Sequence, residues 1–286
     1  MKIASVKLHG EPRLAVERGQ QWFVLEPDSA RPFSGISDWL EQAVSVSEVE
    51  LITLLEQGRW VPVTLSERDL LPPVIRPGKV ICIGKNYEDH AREMASEPPD
   101  LPIVFSKFAS AIVGPGEPIS LPEISESVDF EAELVVVIGR PGRDICREEA
   151  LAHVLGYTVG NDISARDWQK GRPGGQWLLG KTFDTFAPLG PWLVTPDELG
   201  DPHDLEIVCE LNGERMQQAR TSQLIFPIDY LISHLSQFFS LQAGDVIYTG
   251  TPAGVGAGRK PPLFLQRGDQ LRVEIEKIGA LCNPVV

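Results

Sequence analysis

The run Val128-Asp129-Phe130-Glu131-Ala132-Glu133-Leu134-Val135-Val136-Val137-Ile138 constrains the chain more than any other stretch. It ends in a β-branched series closed by Gly139, which reads as a β-strand. Residues two apart on a strand point to one face, so Glu131 and Glu133 project side by side with Asp129 in register. Carboxylates this close repel each other and are costly to bury unpaired. A hard divalent cation held through oxygen would relieve that cost. The ordinary alternative is an edge strand whose polar face meets water.

A second segment favours the cation. Tyr157–Asp167 is a short β-like run that breaks into a Gly160-Asn161-Asp162 turn and could supply a third carboxylate, Asp162. Three acidic ligands plus water suit Mg²⁺. Between β-like segments lies Lys85-Asn86-Tyr87-Glu88-Asp89-His90-Ala91-Arg92-Glu93, in which Asn86 is placed to cap a short helix. His90 and Glu93 are three apart and neighbours on one helical face, an arrangement in which a carboxylate orients an imidazole as a general base. A surface His–Glu pair is the plain alternative. Lys181 near the carboxylates would balance charge; alone it would be a surface lysine. Residues 166–177 are Gly-rich without phosphate-loop spacing and read as a loop over the site. The stretch Gly250-Thr251-Pro252-Ala253-Gly254-Val255-Gly256 offers N–H groups and a hydroxyl to an anion.

The rest of the chain sets the frame. Residues 1–72 read as a small N-terminal α+β domain, with strands over 3–8, 12–17 and 21–25 and helical patterns over 36–43 and 49–57. The Pro72-Pro73 connector marks the boundary, and 73–286 form the larger, mainly β unit. A helix is expected over 147–155, a hairpin around Asn212-Gly213, and an amphipathic helix over 228–241. Cys82, Cys146, Cys209 and Cys282 are isolated and expected as buried free thiols. The net charge of −14 argues against nucleic acid and anionic membrane surfaces. It also means that an anionic substrate must be drawn in by a local cation. No apolar run approaches the roughly 20 residues of a membrane span, and no signal-peptide core is present, so the cytoplasm is the expected compartment.

The order of these features is more specific than any one of them. Ile83-Gly84-Lys85-Asn86-Tyr87 with His90 comes first, then Asp129-Phe130-Glu131-x-Glu133-Leu134. Asn161-Asp162 with Ser164-Ala165-Arg166-Asp167 and Gln169 follows, then Gly180-Lys181 with Asp184, and Thr249-Gly250-Thr251-Pro252 with Gly254-Val255-Gly256. From about residue 74 to the C-terminus the chain resembles the fumarylacetoacetate hydrolase superfamily. The resemblance implies a mixed α/β, mainly β fold with a β-roll catalytic domain, a homodimer, and one Mg²⁺ or Mn²⁺ per subunit. It implies Glu131, Glu133 and Asp162 as metal ligands, and His90 with Glu93 as the base on a mobile lid. It implies Lys181 as a catalytic residue, and Gln169 and Thr251 as substrate contacts. Within the superfamily the chain is most similar to the branch of oxaloacetate tautomerases and decarboxylases. Fumarylacetoacetate hydrolase proper carries a further metal aspartate seven residues before its histidine; Ile83 stands there, which argues against hydrolysis of fumarylacetoacetate itself.

The expected substrate is a small anionic 2-oxo acid that reacts through an enolate. Proton movement at C3 gives tautomerisation, loss of CO₂ gives decarboxylation, and attack of water on a 4-oxo group gives C–C hydrolysis of an acylpyruvate. A reading of another class is a metal-binding interaction protein with a vestigial site, for which His90, Glu93 and Lys181 would serve no purpose.

Overall fold

The computed structural model describes residues 1–26 and 59–286; the helical patterns expected over 36–43 and 49–57 lie outside the described residues. The acidic segment does not form one strand. β8 (Val128–Asp129) pairs with β11 (Ser164–Ala165), and β9 (Ala132–Ile138) enters a larger sheet after a break at Phe130-Glu131. The break has a local cause. The Asp129 carboxylate accepts the N–H of Phe130 at 2.9 Å, and the Glu131 N–H goes to the Asn161 side chain at 2.9 Å. Side-chain acceptors thus replace the ladder at the point where the ladder stops.

Every residue of β9 is buried. Leu134, Val136 and Ile138 pack into one core while Val135 and Val137 pack into a second on the opposite face. A strand covered on both sides must read as a continuous apolar run, as this one does. Its neighbours are β10 (Val154–Asn161) and β15 (Val246–Tyr248). Outward from β15 lie β5 (Val80–Gly84) and β6 (Ile103–Lys107); outward from β10 lies β12 (Ala187–Val194), with β7 (Ile112–Val113) beside it. β1 (Lys2–Leu8) pairs antiparallel with β12 and is followed outward by β2 (Glu11–Arg18), β3 (Gln21–Leu25) and β4 (Trp60–Val63). Ile3, Leu14, Val16 and Leu25 share a core with Leu189, Leu193, Val80 and Val246.

A second sheet runs in the order β14 (Glu214–Arg220), β13 (Glu206–Leu211), β16 (Gln270–Ile275), β17 (Gly279–Pro284). The expected hairpin closes β13 onto β14, with Asn212 at φ 54° and Gly213 at φ 81°, the left-handed pair that a two-residue turn needs. The expected long helix is Ile228–Phe238, whose Ile228, Leu231, Ile232 and Leu235 are buried. The fold is mainly β with few, short helices.

Four local expectations are corrected. Residues 147–153 form a 3₁₀ segment, Arg147–His153, which passes directly into β10 at Val154. The loop expected over 166–177 contains helical turns: α2 (Arg166–Gln169) follows α1 (Glu88–Glu93), and α3 (Leu178–Lys181) comes just after it. Asn86 caps nothing; its amide donates to the carbonyls of Phe226 (3.0 Å) and Thr249 (2.7 Å), and its Oδ1 accepts the Phe226 N–H (2.8 Å). The cysteines are free, but only Cys82 and Cys209 are buried, while Cys146 is exposed.

Candidate active site

Glu133 follows the break in the acidic segment and Glu131 lies within it, while Asp162 is the residue after β10. The Asp162 N–H binds the Glu131 carbonyl at 2.8 Å, so the two breaks are stitched together. Carboxylate oxygens of Glu131, Glu133 and Asp162 come within 4.8 Å of one another, and all three side chains are buried.

Cations and N–H groups share this charge unequally. Lys181 Nζ bridges Glu131 Oε2 (2.7 Å) and Asp162 Oδ2 (2.8 Å), and lies 4.9 Å from the Phe105 ring centre. Arg166 Nη1 is 2.7 Å from Glu131 Oε1. Burial pushes the Glu131 pKa up, but Arg166 and Lys181 overturn that and hold it below the usual carboxylate range. Glu133 receives one donor, the Gly250 N–H at 2.7 Å. Burial, then the charges of Asp162 and Glu131, push its pKa well above the usual range. Glu133 is thus the least compensated of the three carboxylates.

Lys107, which the sequence leaves unplaced, is buried beneath the cluster. Its ammonium donates to the carbonyls of Ile163 (2.9 Å), Phe186 (2.7 Å) and Lys181. Asp162 Oδ1 lies 2.7 Å from it, so the same ammonium also pairs with a carboxylate of the cluster. Three clustered carboxylates that offer only oxygen, one of them held by a single N–H, fit a hard divalent cation.

These carboxylates open onto a cavity of about 210 Å³. His90 and Met94 come from α1 and its end, Phe105 from β6, Arg166 and Gln169 from α2, Trp177 and Lys181 from the α3 region, and Thr251 from the loop after β15. Each of His90, Glu131, Glu133, Gln169, Lys181 and Thr251 therefore reaches one chamber. Asp162 and Glu93 stand behind its wall. His90 Nδ1 is 3.4 Å from Glu93 Oε2, a long contact of the kind that tightens when substrate binds. Both Glu93 oxygens accept the Gly254 N–H, at 3.0 and 3.1 Å. The Gly-rich turn expected to hold an external anion thus spends its N–H groups on the protein's own carboxylates. Gly250 serves Glu133, Gly254 serves Glu93, and Gly256 serves Asp129 at 2.7 Å. Only Thr251 of that turn faces the cavity.

Several site residues were not singled out from the sequence. Arg166 stands four residues after Asp162 and three before Gln169, a spacing that puts it on the same helical face as Gln169. Its Nε binds Asp129 at 2.8 Å and its Nη1 binds Gln169 at 2.9 Å, while Nη2 is buried without a partner. Asp129, expected in register with the two glutamates, is drawn off to this arginine and to the N–H groups of Gly256 and Ala257. Gln217 donates to Thr251 Oγ1 at 2.8 Å and accepts the Ala132 N–H at 3.0 Å. No short-range pattern signals Gln217, because its partners lie far along the chain.

Comparison with known proteins places the family. The family model described as fumarylacetoacetate (FAA) hydrolase C-terminal matches residues 79–286. Oxaloacetate tautomerase FAHD2B, mitochondrial, of Bos taurus is 50% identical over 277 residues, which cover 96% of this chain and 88% of that protein. The structure of a fumarylacetoacetate hydrolase from psychrophilic Exiguobacterium antarcticum matches with a TM-score of 0.84 at 37% identity, over 100% of this chain and 99% of that one. The structure of fumarylpyruvate hydrolase from Pseudomonas aeruginosa in complex with Mn²⁺ and pyruvate matches with a TM-score of 0.68 at 36% identity, over 76% of this chain and 91% of that one. With a family model over most of its length and half of its residues shared with a relative spanning nearly all of it, the chain is an enzyme of the fumarylacetoacetate hydrolase family.

Proposed function

We propose that this enzyme is a divalent-metal-dependent oxaloacetate tautomerase that interconverts enol and keto forms at one buried site. The carrying observation is the Glu131–Glu133–Asp162 cluster opening into the same cavity as His90. The half-identical relative named for oxaloacetate tautomerisation supports the substrate. Glu131, Glu133 and Asp162 would hold the ion, Mg²⁺ or Mn²⁺, as hard oxygen donors. The bound ion supplies Lewis-acid stabilisation of negative charge that develops on substrate oxygen.

The remaining work falls to side chains of this chain. Arg166 Nη2, buried and unpartnered, donates to a substrate carboxylate. Gln169 is held by Arg166, and Thr251 by Gln217, so both present polar groups with little freedom. His90 carries the proton between C3 and the enol oxygen through Nε2, since Nδ1 faces Glu93. Glu93, fixed by the Gly254 N–H, holds the ring in that orientation. Lys181 bridges Glu131 and Asp162 and balances their charge. Ile83, Phe105 and Trp177 form the apolar wall that limits water.

The proposed organisation is a homodimer in the cytoplasm, each subunit with an N-terminal domain of residues 1–72 and a catalytic domain of residues 73–286. The boundary is supported by the family match, which begins at residue 79. A second reading is C–C hydrolysis of an acylpyruvate, favoured by the likeness to fumarylpyruvate hydrolase. The test follows enol absorbance and pyruvate formation in one sample of oxaloacetate with Mg²⁺. Rapid loss of enol without pyruvate is expected. Matching pyruvate release would make the enzyme a decarboxylase, and silence in both channels would move the reading to acylpyruvates.

A further inference from the structure

The cavity holds more positive charge than its own carboxylates use. Lys107 and Lys181 are committed to the cluster and to backbone carbonyls. Arg166 spends Nε and Nη1 on Asp129, Glu131 and Gln169. Two further lysines line the chamber, Lys85 and Lys170, and among the described residues neither makes an ion pair or side-chain hydrogen bond. The chain carries 40 acidic residues against 26 basic ones, so partners for a surface lysine are plentiful. Lys85 is half-buried and Lys170 is exposed, with Asp129 and Glu131 as its nearest opposite charges, so both ammonium groups remain available to a ligand in the cavity.

Their placement adds to it. Lys85 is the residue after β5 and sits at φ +55°, a left-handed backbone that costs a side-chain-bearing residue about 1–2 kcal/mol. It is the one cavity-lining residue other than glycine in that region of φ. The next residue is the clamped Asn86, which fixes the backbone there on both sides of its amide. Lys170 follows the last residue of α2, whose N-terminal residue is Arg166, and its N–H closes that helix on the Arg166 carbonyl at 3.0 Å. Burial lowers the Lys170 pKa, repulsion from Arg166 and Lys85 lowers it further, and Asp129 and Glu131 act against that, so Lys170 lies within electrostatic reach of both cations and of the site's carboxylates.

We propose that Lys85 and Lys170 form a subsite for the second carboxylate of the substrate, and so restrict this enzyme to 2-oxo dicarboxylic acids. The inference rests on the 2-oxo acid reading of the site. The first carboxylate and the 2-oxo group belong at the acidic cluster and Arg166. A second carboxylate on C3 cannot settle against Ile83, Met94, Phe105 or Trp177, which are apolar, and must meet a cation. Lys85 and Lys170 are specificity residues on this account and take no part in moving the proton.

The test compares binding of malate and 2-hydroxybutanoate to the Mg²⁺-loaded protein by calorimetry. The two are matched in length and unreactive, and differ by a carboxylate against a methyl group. The intact enzyme is expected to prefer malate by about tenfold or more, the worth of one charge-assisted hydrogen bond. The Lys85→Gln/Lys170→Gln variant should bind both ligands alike, with 2-hydroxybutanoate affinity held, and Lys85→Arg/Lys170→Arg should restore the preference. In turnover of oxaloacetate the Gln variant should raise KM far more than it lowers kcat. Equal affinities in the intact enzyme, an undiminished malate preference in the Gln variant, or loss of both ligands together would overturn the subsite. The two readings fail separately. Lysine-dependent preference for malate without oxaloacetate turnover would sink the tautomerase and keep the subsite. Turnover with KM untouched by the Gln variant would do the reverse.

Discussion

Replacing His90 by alanine removes the proton carrier and leaves the three carboxylates in place. Turnover should fall by about 10²–10⁴-fold, the usual worth of a positioned acid–base group, while Mg²⁺ affinity stays within about twofold. Loss of metal binding together with activity would mean that His90 holds the cluster instead of serving it. Glu133 makes a pH prediction whose sign follows from its raised pKa. A carboxyl whose pKa is higher folded than unfolded adds stability at pH below the unfolded value, near 4, and loses it as pH climbs through the folded value. The metal-free enzyme should thus lose thermal stability as pH rises above that of an ordinary carboxylate. Metal binding needs the ionised form, so Mg²⁺ affinity should rise over the same interval, with a proton released on binding. Calorimetry in buffers of different ionisation enthalpy measures that proton; an unchanged heat across buffers would show that Glu133 is already ionised. At this scale much was legible. The two-residue spacing put Glu131 and Glu133 in one cluster, although Glu131 falls in the break before β9 and not on a strand, and the three-residue spacing paired His90 with Glu93. Arg166 and Lys107 were not legible as site residues, because nothing local tells a buried cation from a surface one.

The loop that follows β15 works as a clamp on three carboxylates. Gly254 is its centre: φ is +109°, and an added Cβ would lie 2.2 Å from the Met216 carbonyl oxygen. Gly254→Ala should therefore push the loop away from Glu93 and let the His90 ring turn. The expected result is a fall of about a hundredfold in kcat, with Mg²⁺ binding kept and the melting temperature lowered by several degrees. Wild-type turnover in this variant would show that His90 needs no such support. The sequence marked this turn as a place where N–H groups meet an anion, and that was sound chemistry. Which anion was hidden, because Glu93, Asp129 and Glu133 lie more than a hundred residues upstream. The short helices α2 and α3 escaped for a different reason. Four residues carry no helical period, and such turns form only because tertiary contacts hold them.

Across the whole molecule, one sheet carries the N-terminal meander at one end and the cavity-lining strands at the other. Among the described residues no helix is long and apolar enough to cross a membrane. The meander contributes Ile3, Leu14, Val16 and Leu25 to a core shared with β5, β12 and β15. A chain starting at residue 73 should lose on the order of 5 kcal/mol of stability from that burial alone, and melt well below the full chain in a calorimetric scan. Equal melting points would mean that the two parts pack without mutual support. By itself the sequence determined what short-range geometry controls. That covers most of the strands, the Asn212-Gly213 hairpin, the amphipathic helix and the His–Glu pair, all set by spacings of two to four residues. Only the tertiary structure decided which cation each carboxylate meets, which carbonyls Lys107 binds, that Asn86 ties β5 to residues 226 and 249, and that Lys85 and Lys170 stand free at the cavity. Those partners are separated by tens to hundreds of residues, and burial, not local pattern, sets how strongly their charges act on one another.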